Sequence, residues 1–261
     1  MKRICLLACL LLPLAINAAT YRVNPGRAVT SSNFHSLSEL LRTVQLAPGD
    51  VVLVAGGVVY SEMLDFANVQ GTPEQPVVVR GQGGRAIFDG NEVDSVARGS
   101  LVYFPPDSSN IVFENMEVRN VRVGEALNDR GIYVRGTNIT IRNAYVHHCP
   151  NGIFTSLPAS HTVVERSEIA FNGSEGFAHN IYVAGRHTVI RHNYIHDAVR
   201  GINVKDRSIA FPDQHWASEI LYNRIENAND GGYEMDFSGQ GEGEWQAARV
   251  VGNLIVKSSS G

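Results

Sequence analysis

HNIYVAGRHTVIRHNYIHDAVRGINVKDRS, residues His179 to Ser208, holds two strand signatures in alternation. Successive side chains of a strand point to opposite faces, so NIYV (from Asn180) and GINV (from Gly201) each set two aliphatic residues on one side. Between them VIRHNYIHDA repeats the alternation around a polar corner. A helix would space its apolar residues three and four apart, and these runs do not. GINVKDRS then ends in three consecutive charges, Lys205, Asp206 and Arg207. Such an end is either a solvated turn or the working end of a site.

Five segments share the first signature: GIYV at Gly131, GIFT at Gly152, NIYV at Asn180, GINV at Gly201 and GYEM at Gly232. Their inward residues Ile132, Ile153, Ile181, Ile202 and Tyr233 are 21, 28, 21 and 31 residues apart. The second signature is anchored at Val118, Val146, Ile169, Ile195, Ile225 and Ile255, in steps of 28, 23, 26, 30 and 30. Two interleaved series with elastic spacing describe stacked coils of strands joined by loops of variable length. Asn193, Asn223 and Asn253 fill one slot, with Ser167 in the same slot and Asn115 and Asn143 one residue earlier. Asn accepts the left-handed backbone of a tight turn, and stacked amides pass hydrogen bonds from coil to coil.

Upstream, SLSELLRTVQLAPGD carries Leu37, Leu40, Leu41 and Val44 at helical spacing and stops at Pro48-Gly49, ahead of VVLVAGGVVY. The spacing predicts a short amphipathic helix covering the open edge of the first coil. Residues 1–18 read as a cleaved secretory signal: Lys2 and Arg3, an apolar run from Ile4 to Ile16, then Ala18 and Ala19. That run is too short to span a bilayer. The expected mature protein is therefore residues 19–261, secreted or periplasmic, without a membrane span. Losing Lys2 and Arg3 moves the formal charge from −4 to −6 and leaves Cys149 as the last cysteine, expected buried and unbridged. An acidic chain without an extended basic face excludes a nucleic-acid partner. The end at Lys257-Ser258-Ser259-Ser260-Gly261 falls within a repeat, so further coils are expected beyond it.

A helix, then APGDVVLVAGGVVY, then Asn-laddered coils resembles the right-handed parallel β-helix superfamily that includes pectate lyases and related polysaccharide enzymes. The His179–Ser208 stretch is also similar to secreted β-helix repeat proteins. The resemblance implies an all-β fold, a right-handed parallel β-helix (solenoid) with an N-terminal capping helix. It also implies a polysaccharide partner, since the superfamily holds lyases, hydrolases, epimerases and non-catalytic adhesins.

Aligning the five GIxV segments predicts outward columns. One holds Tyr133, Phe154, Tyr182, Asn203 and Glu234; the next holds Arg135, Ser156, Ala184, Lys205 and Asp236. A third, just before the strand, holds Arg130, Asn151, His179, Arg200 and Gly231. The aromatic column with Trp216 offers surfaces for sugar rings, or else stabilises the sheet with no ligand. β-Elimination next to a uronate carboxylate needs a base for the C5 proton and a cation beside the carboxylate. Lys205 as base, Arg207 as carboxylate partner, with His179 and Tyr182 one coil away, supply those parts, and Arg200, Asn203, Tyr133 and Phe154 are the expected substrate contacts. Glu234 and Asp236, alternate on one strand, read as oxygen ligands for Ca²⁺ or as the carboxylate pair of a glycoside hydrolase. His147, His148, His187, His192 and His196 fall at variable spacing and read as turn and surface residues on different faces rather than a zinc site.

Two functions follow. The first is an exported, monomeric polysaccharide lyase acting on an acidic glycan; the second is a non-catalytic glycan-binding module that uses the aromatic column.

Overall fold

A computed structural model describes residues 18–93, 99–122, 129–173, 178–207, 218–228, 233–237 and 248–257. The strands are short, and among the described residues they pair in parallel, each with its counterpart one coil on. They form three faces. The first runs from Val51–Ala55 through Thr137–Arg142 to Arg249–Val251. The second runs from Val59–Tyr60 through Tyr145–His147 to Leu254–Val256. The third runs from Leu64–Asp65 through Arg130–Val134 to Met235–Phe237. This is a parallel β-helix of about seven turns.

Each face alternates because one side of every strand is sealed in the interior. Val118, Val146, Ile169, Ile195 and Ile225 stack one above another on the second face, all fully buried, in the register that their spacing predicts. Each such side chain contributes about 1.5–3 kcal/mol by leaving water. The early coils fill the interior with rings, Phe66 stacked on Phe104 with centroids 4.5 Å apart, whereas the later ones use isoleucine.

The expected helix spans Leu37–Thr43. Ser36 caps it by accepting from the Glu39 N–H, and the Glu62 carboxylate accepts from the N–H groups of Leu37 and Ser38. Those bonds satisfy donors that a helix start leaves open. Leu37 and Leu40 are buried, and the helix packs on Leu64–Asp65.

The corner between the first and second faces separates two roles that the sequence merges. Asn115, Asn143, Arg166, His192 and Tyr222 take the left-handed backbone, with φ from 48° to 58°. The next slot holds the buried ladder. Asn223 Oδ1 accepts from the N–H and the Nδ2 of Asn193, and Asn253 Oδ1 accepts likewise from Asn223. Beside this corner a second ladder alternates in sign: Arg80, Glu114, Arg142, Glu165 and Arg191 occupy one column of the first face. Glu114 pairs with Arg80 and Arg142, and Glu165 with Arg142 at 2.6 Å and Arg191 at 2.6 Å.

The third face departs from the predicted alignment by two residues at one coil. Ile132, Ile153 and Ile181 are in register as expected, but Ile181 then pairs with Val204, not Ile202, and Val204 with Met235. Buried amides decide this. Asn180 donates to Asn203 Oδ1 at 2.6 Å and to the His196 carbonyl at 2.7 Å, and Asn203 in turn donates to the Glu226 carbonyl at 2.8 Å. An unpaired buried amide costs about 1–3 kcal/mol, whereas Ile202 is already buried in its shifted position and gains little from realignment. Gly201 permits the shift, because a Cβ there would lie 1.7 Å from the Ala178 carbonyl oxygen.

Candidate functional site

The corrected register assembles a different outward column on the third face: Tyr103, Tyr133, Phe154, Tyr182, Lys205 and Asp236. Phe154 and Tyr182 stack with centroids 4.5 Å apart and planes 10° from parallel. Tyr133 meets Phe154 edge to face at 5.6 Å, and the Arg130 guanidinium lies 4.3 Å from the Tyr133 ring centre and 4.6 Å from that of Phe154. Phe154 and Tyr182 thus cover a face of each other and Arg130 lies over the rings of Tyr133 and Phe154, so the row binds coil to coil. The Tyr133 hydroxyl bonds Ser156 Oγ at 2.7 Å.

The polar groups gather at the end of the row. Lys205, largely buried at 15% side-chain exposure, forms an ion pair through Nζ with Asp236 on the following coil. Arg207 Nη1 donates to the Tyr182 hydroxyl at 3.2 Å, leaving that O–H to donate elsewhere. His179 Nδ1 accepts from the Ile202 N–H at 3.1 Å, which assigns the ring proton to Nε2. Burial, then the Lys205 charge, push the His179 imidazole down to about 4 against the pull of Asp236, so it is neutral at ordinary pH. Lys205, Arg207, His179 and Tyr182 are therefore brought together, one coil apart, with Asp236.

Other expected contacts are not. Asn203 is fully buried in the amide ladder and faces the interior rather than a substrate. Glu234 is buried too, accepting from Asn203 Nδ2 and from the Ala228 N–H at 3.0 Å, so it does not share an outward face with Asp236. With one carboxylate turned inward and the other held by Lys205, the pair fits neither a Ca²⁺ site nor the two carboxyls of a glycoside hydrolase. Arg200 is exposed in the corner before the strand, two residues short of the column it was assigned to; Ile202 stands opposite His179. Asp206, in the charged end that reads as a solvated turn or a working site, is neither: it is a fully buried strand residue between Val183 and Phe237. Trp216, with Trp245 and Gly231, lies outside the described residues.

Sequence reasoning missed Tyr103, the first ring of the column, and the seat of Arg130 on the rings. The run LVYFP matches GIYVR at the aromatic position, which is the signal of this ring in the sequence. On the second face, His147 and His196 share one column with Ala170 between them, so they are not on different faces. His196 Nδ1 lies 2.6 Å from Asp197 and His147 Nε2 lies 3.3 Å from Glu117. His148, His187 and His192 occupy left-handed corners as turn residues.

Residues 76–235 match a family model described as the right handed beta helix region. The chain belongs to the right-handed β-helix family. Among solved structures, this β-helix protein is similar to pectate lyase Pel9A, with a TM-score of 0.62 at 18% identity over 88% of the chain. It is similar to a rhamnogalacturonan lyase, with a TM-score of 0.60 at 14% identity over 94% of the chain, and to pectin methylesterase from carrot, with a TM-score of 0.54 at 15% identity over 82%. At such identities the likeness establishes the fold. The β-helix spans 57% of the first of these chains and 64% of each of the others. No curated protein sequence matches it.

Proposed function

We propose that this β-helix protein is an exported polysaccharide lyase that cleaves a uronate-containing glycan by β-elimination at the end of the third-face column. The observation that carries the reading is the convergence of Lys205, Arg207, Tyr182 and His179 on adjacent coils, on the outside of the fold. The polysaccharide lyases among its structural neighbours are consistent with that chemistry. No helix among the described residues is long and apolar enough to cross a membrane.

In this reading Arg207 sits beside the substrate carboxylate and stabilises the charge that builds there as the C5–H bond breaks. The proton goes to the Lys205 amine, the C4=C5 double bond forms, the C4–O4 bond breaks, and O4 takes a proton from the Tyr182 hydroxyl. The Asp236 carboxylate on the following coil holds the Lys205 side chain in position, and the free amine is the form that takes the C5 proton. Neutral His179 supports the Ile202 backbone and adds no competing positive charge.

Incubation with a panel of uronate polymers is expected to generate unsaturated products absorbing in the near ultraviolet, with the rate falling at least 10²-fold in Lys205→Ala. Absence of such absorbance across the panel would sink the lyase reading. Binding that survives Lys205→Ala and weakens in Tyr182→Ala would favour a non-catalytic glycan-binding module.

A further inference from the structure

The corner between the first and second faces holds an open cavity of about 330 Å³, lined by Arg80, Glu114, Asn115, Arg142, Asn143 and Arg166. These residues stand on four successive coils, a span of about 14 Å. The side chains of Arg80 and Arg142 are 52% and 39% exposed, and Arg166 is exposed as well. Three cations therefore share the lining with one carboxylate. Glu114 is already held by Arg80 and Arg142, and Glu165, the next acid of the row, is buried between Arg142 and Arg191 and lies outside the lining. Among the described residues no carboxylate pairs with Arg166.

The corner itself does not call for that arginine. On the two preceding coils the slot holds Asn115 and Asn143, and Asn143 Nδ2 donates to Asn115 Oδ1 at 3.2 Å. A third asparagine would extend this ladder by donating to Asn143 Oδ1. The chain instead sets Arg166 there at φ 51°, a left-handed backbone that Asn adopts more readily than Arg. Strain kept at an exposed site points to a ligand. Guanidinium groups bind planar oxyanions through paired N–H bonds, and an amide oxygen beside them accepts from a hydroxyl. An oxyanion with a hydroxyl near it is the chemistry of an acidic sugar.

We propose that the cavity of Arg80, Arg142 and Arg166 binds the carboxylate or sulfate of an acidic sugar and anchors the protein on its polysaccharide, away from the third-face cluster. The assignment of the guest to a polysaccharide rests on the function proposed above; the preference for an anion rests on the three arginines alone.

The test is calorimetric titration of the full chain carrying Lys205→Ala and Arg207→Ala, which remove turnover and the third-face cations. The probes are hexagalacturonate, its fully methyl-esterified form, and a sulfated, uronate-free carrageenan hexasaccharide. One site that prefers an anionic probe to the ester is expected, and the tighter of the two anionic probes tells carboxylate from sulfate. Arg166→Asn, added to this background, should weaken that site about 10-fold while the melting temperature holds or rises, because Asn suits the corner and extends the ladder. Equal binding of acid, sulfate and ester, binding of none of them, or undiminished affinity in Arg166→Asn would overturn the site. Anion-selective binding that depends on Arg166, with no unsaturated product from the unmodified protein, would retain the site and remove the lyase. Product formation with no binding in the double variant would do the reverse.

Discussion

Burial and the neighbouring Lys205 ammonium hold the His179 imidazole at about 4, against an ordinary value of 6.5, and this has a cost when the solution turns acid. The folded pKa lies below the unfolded one, so on acidification the unfolded chain takes up its proton first. The stability contributed by neutral His179 is intact above about pH 6.5 and drains away as the pH falls towards 4, by about 3 kcal/mol. Urea denaturation at pH 7 and pH 4.5 should show this loss in the parent and a flatter profile in His179→Gln; an unchanged slope would mean that other groups set the acid response. The same residue shows what was legible in the sequence. His179 next to Lys205 was foreseen, but its ring nitrogen accepting from the Ile202 backbone was not, because that contact exists only once Ile202 has moved two places along the column.

At the scale of the element, the aliphatic anchors of the second face could be read directly, since each interior slot accepts only a side chain of that kind. The third face could not be read by the same rule at Gly201. There both Ile202 and Val204 satisfy the alternation, and the choice falls to Asn203, which must find the Asn180 amide inside the stack. Matching asparagine to asparagine in HNIYV and INVKD would have given the observed register. That two-residue difference moved Asn203 and Glu234 from the surface to the interior and put Lys205 opposite Tyr182. Buried amides are thus as directive here as aliphatic residues, and the corner ladder gives a way to measure it. Asn223→Ala removes the acceptor for the Asn193 N–H and Nδ2 and the donor to the Ile190 carbonyl, all in a buried corner. The expected destabilisation is about 2–4 kcal/mol in chemical denaturation, while a loss below about 1 kcal/mol would show that water replaces the ladder.

Among the described residues the strands pair with the coils on either side, so the outside of the fold is a set of columns, each position repeated once per coil. The lyase cluster lies at the end of one such column of the third face, where an outward residue can change without disturbing the interior. The first-face row Arg80, Glu114, Arg142, Glu165, Arg191 is the exception, because each member depends on the sign of the next. Adding or deleting one coil in that row would set arginine against arginine or glutamate against glutamate, whereas adding or deleting two would keep opposite charges in contact. The row therefore acts as a parity check on length: across this stretch the solenoid can be lengthened or shortened by even numbers of coils, while an odd change also requires a compensating substitution.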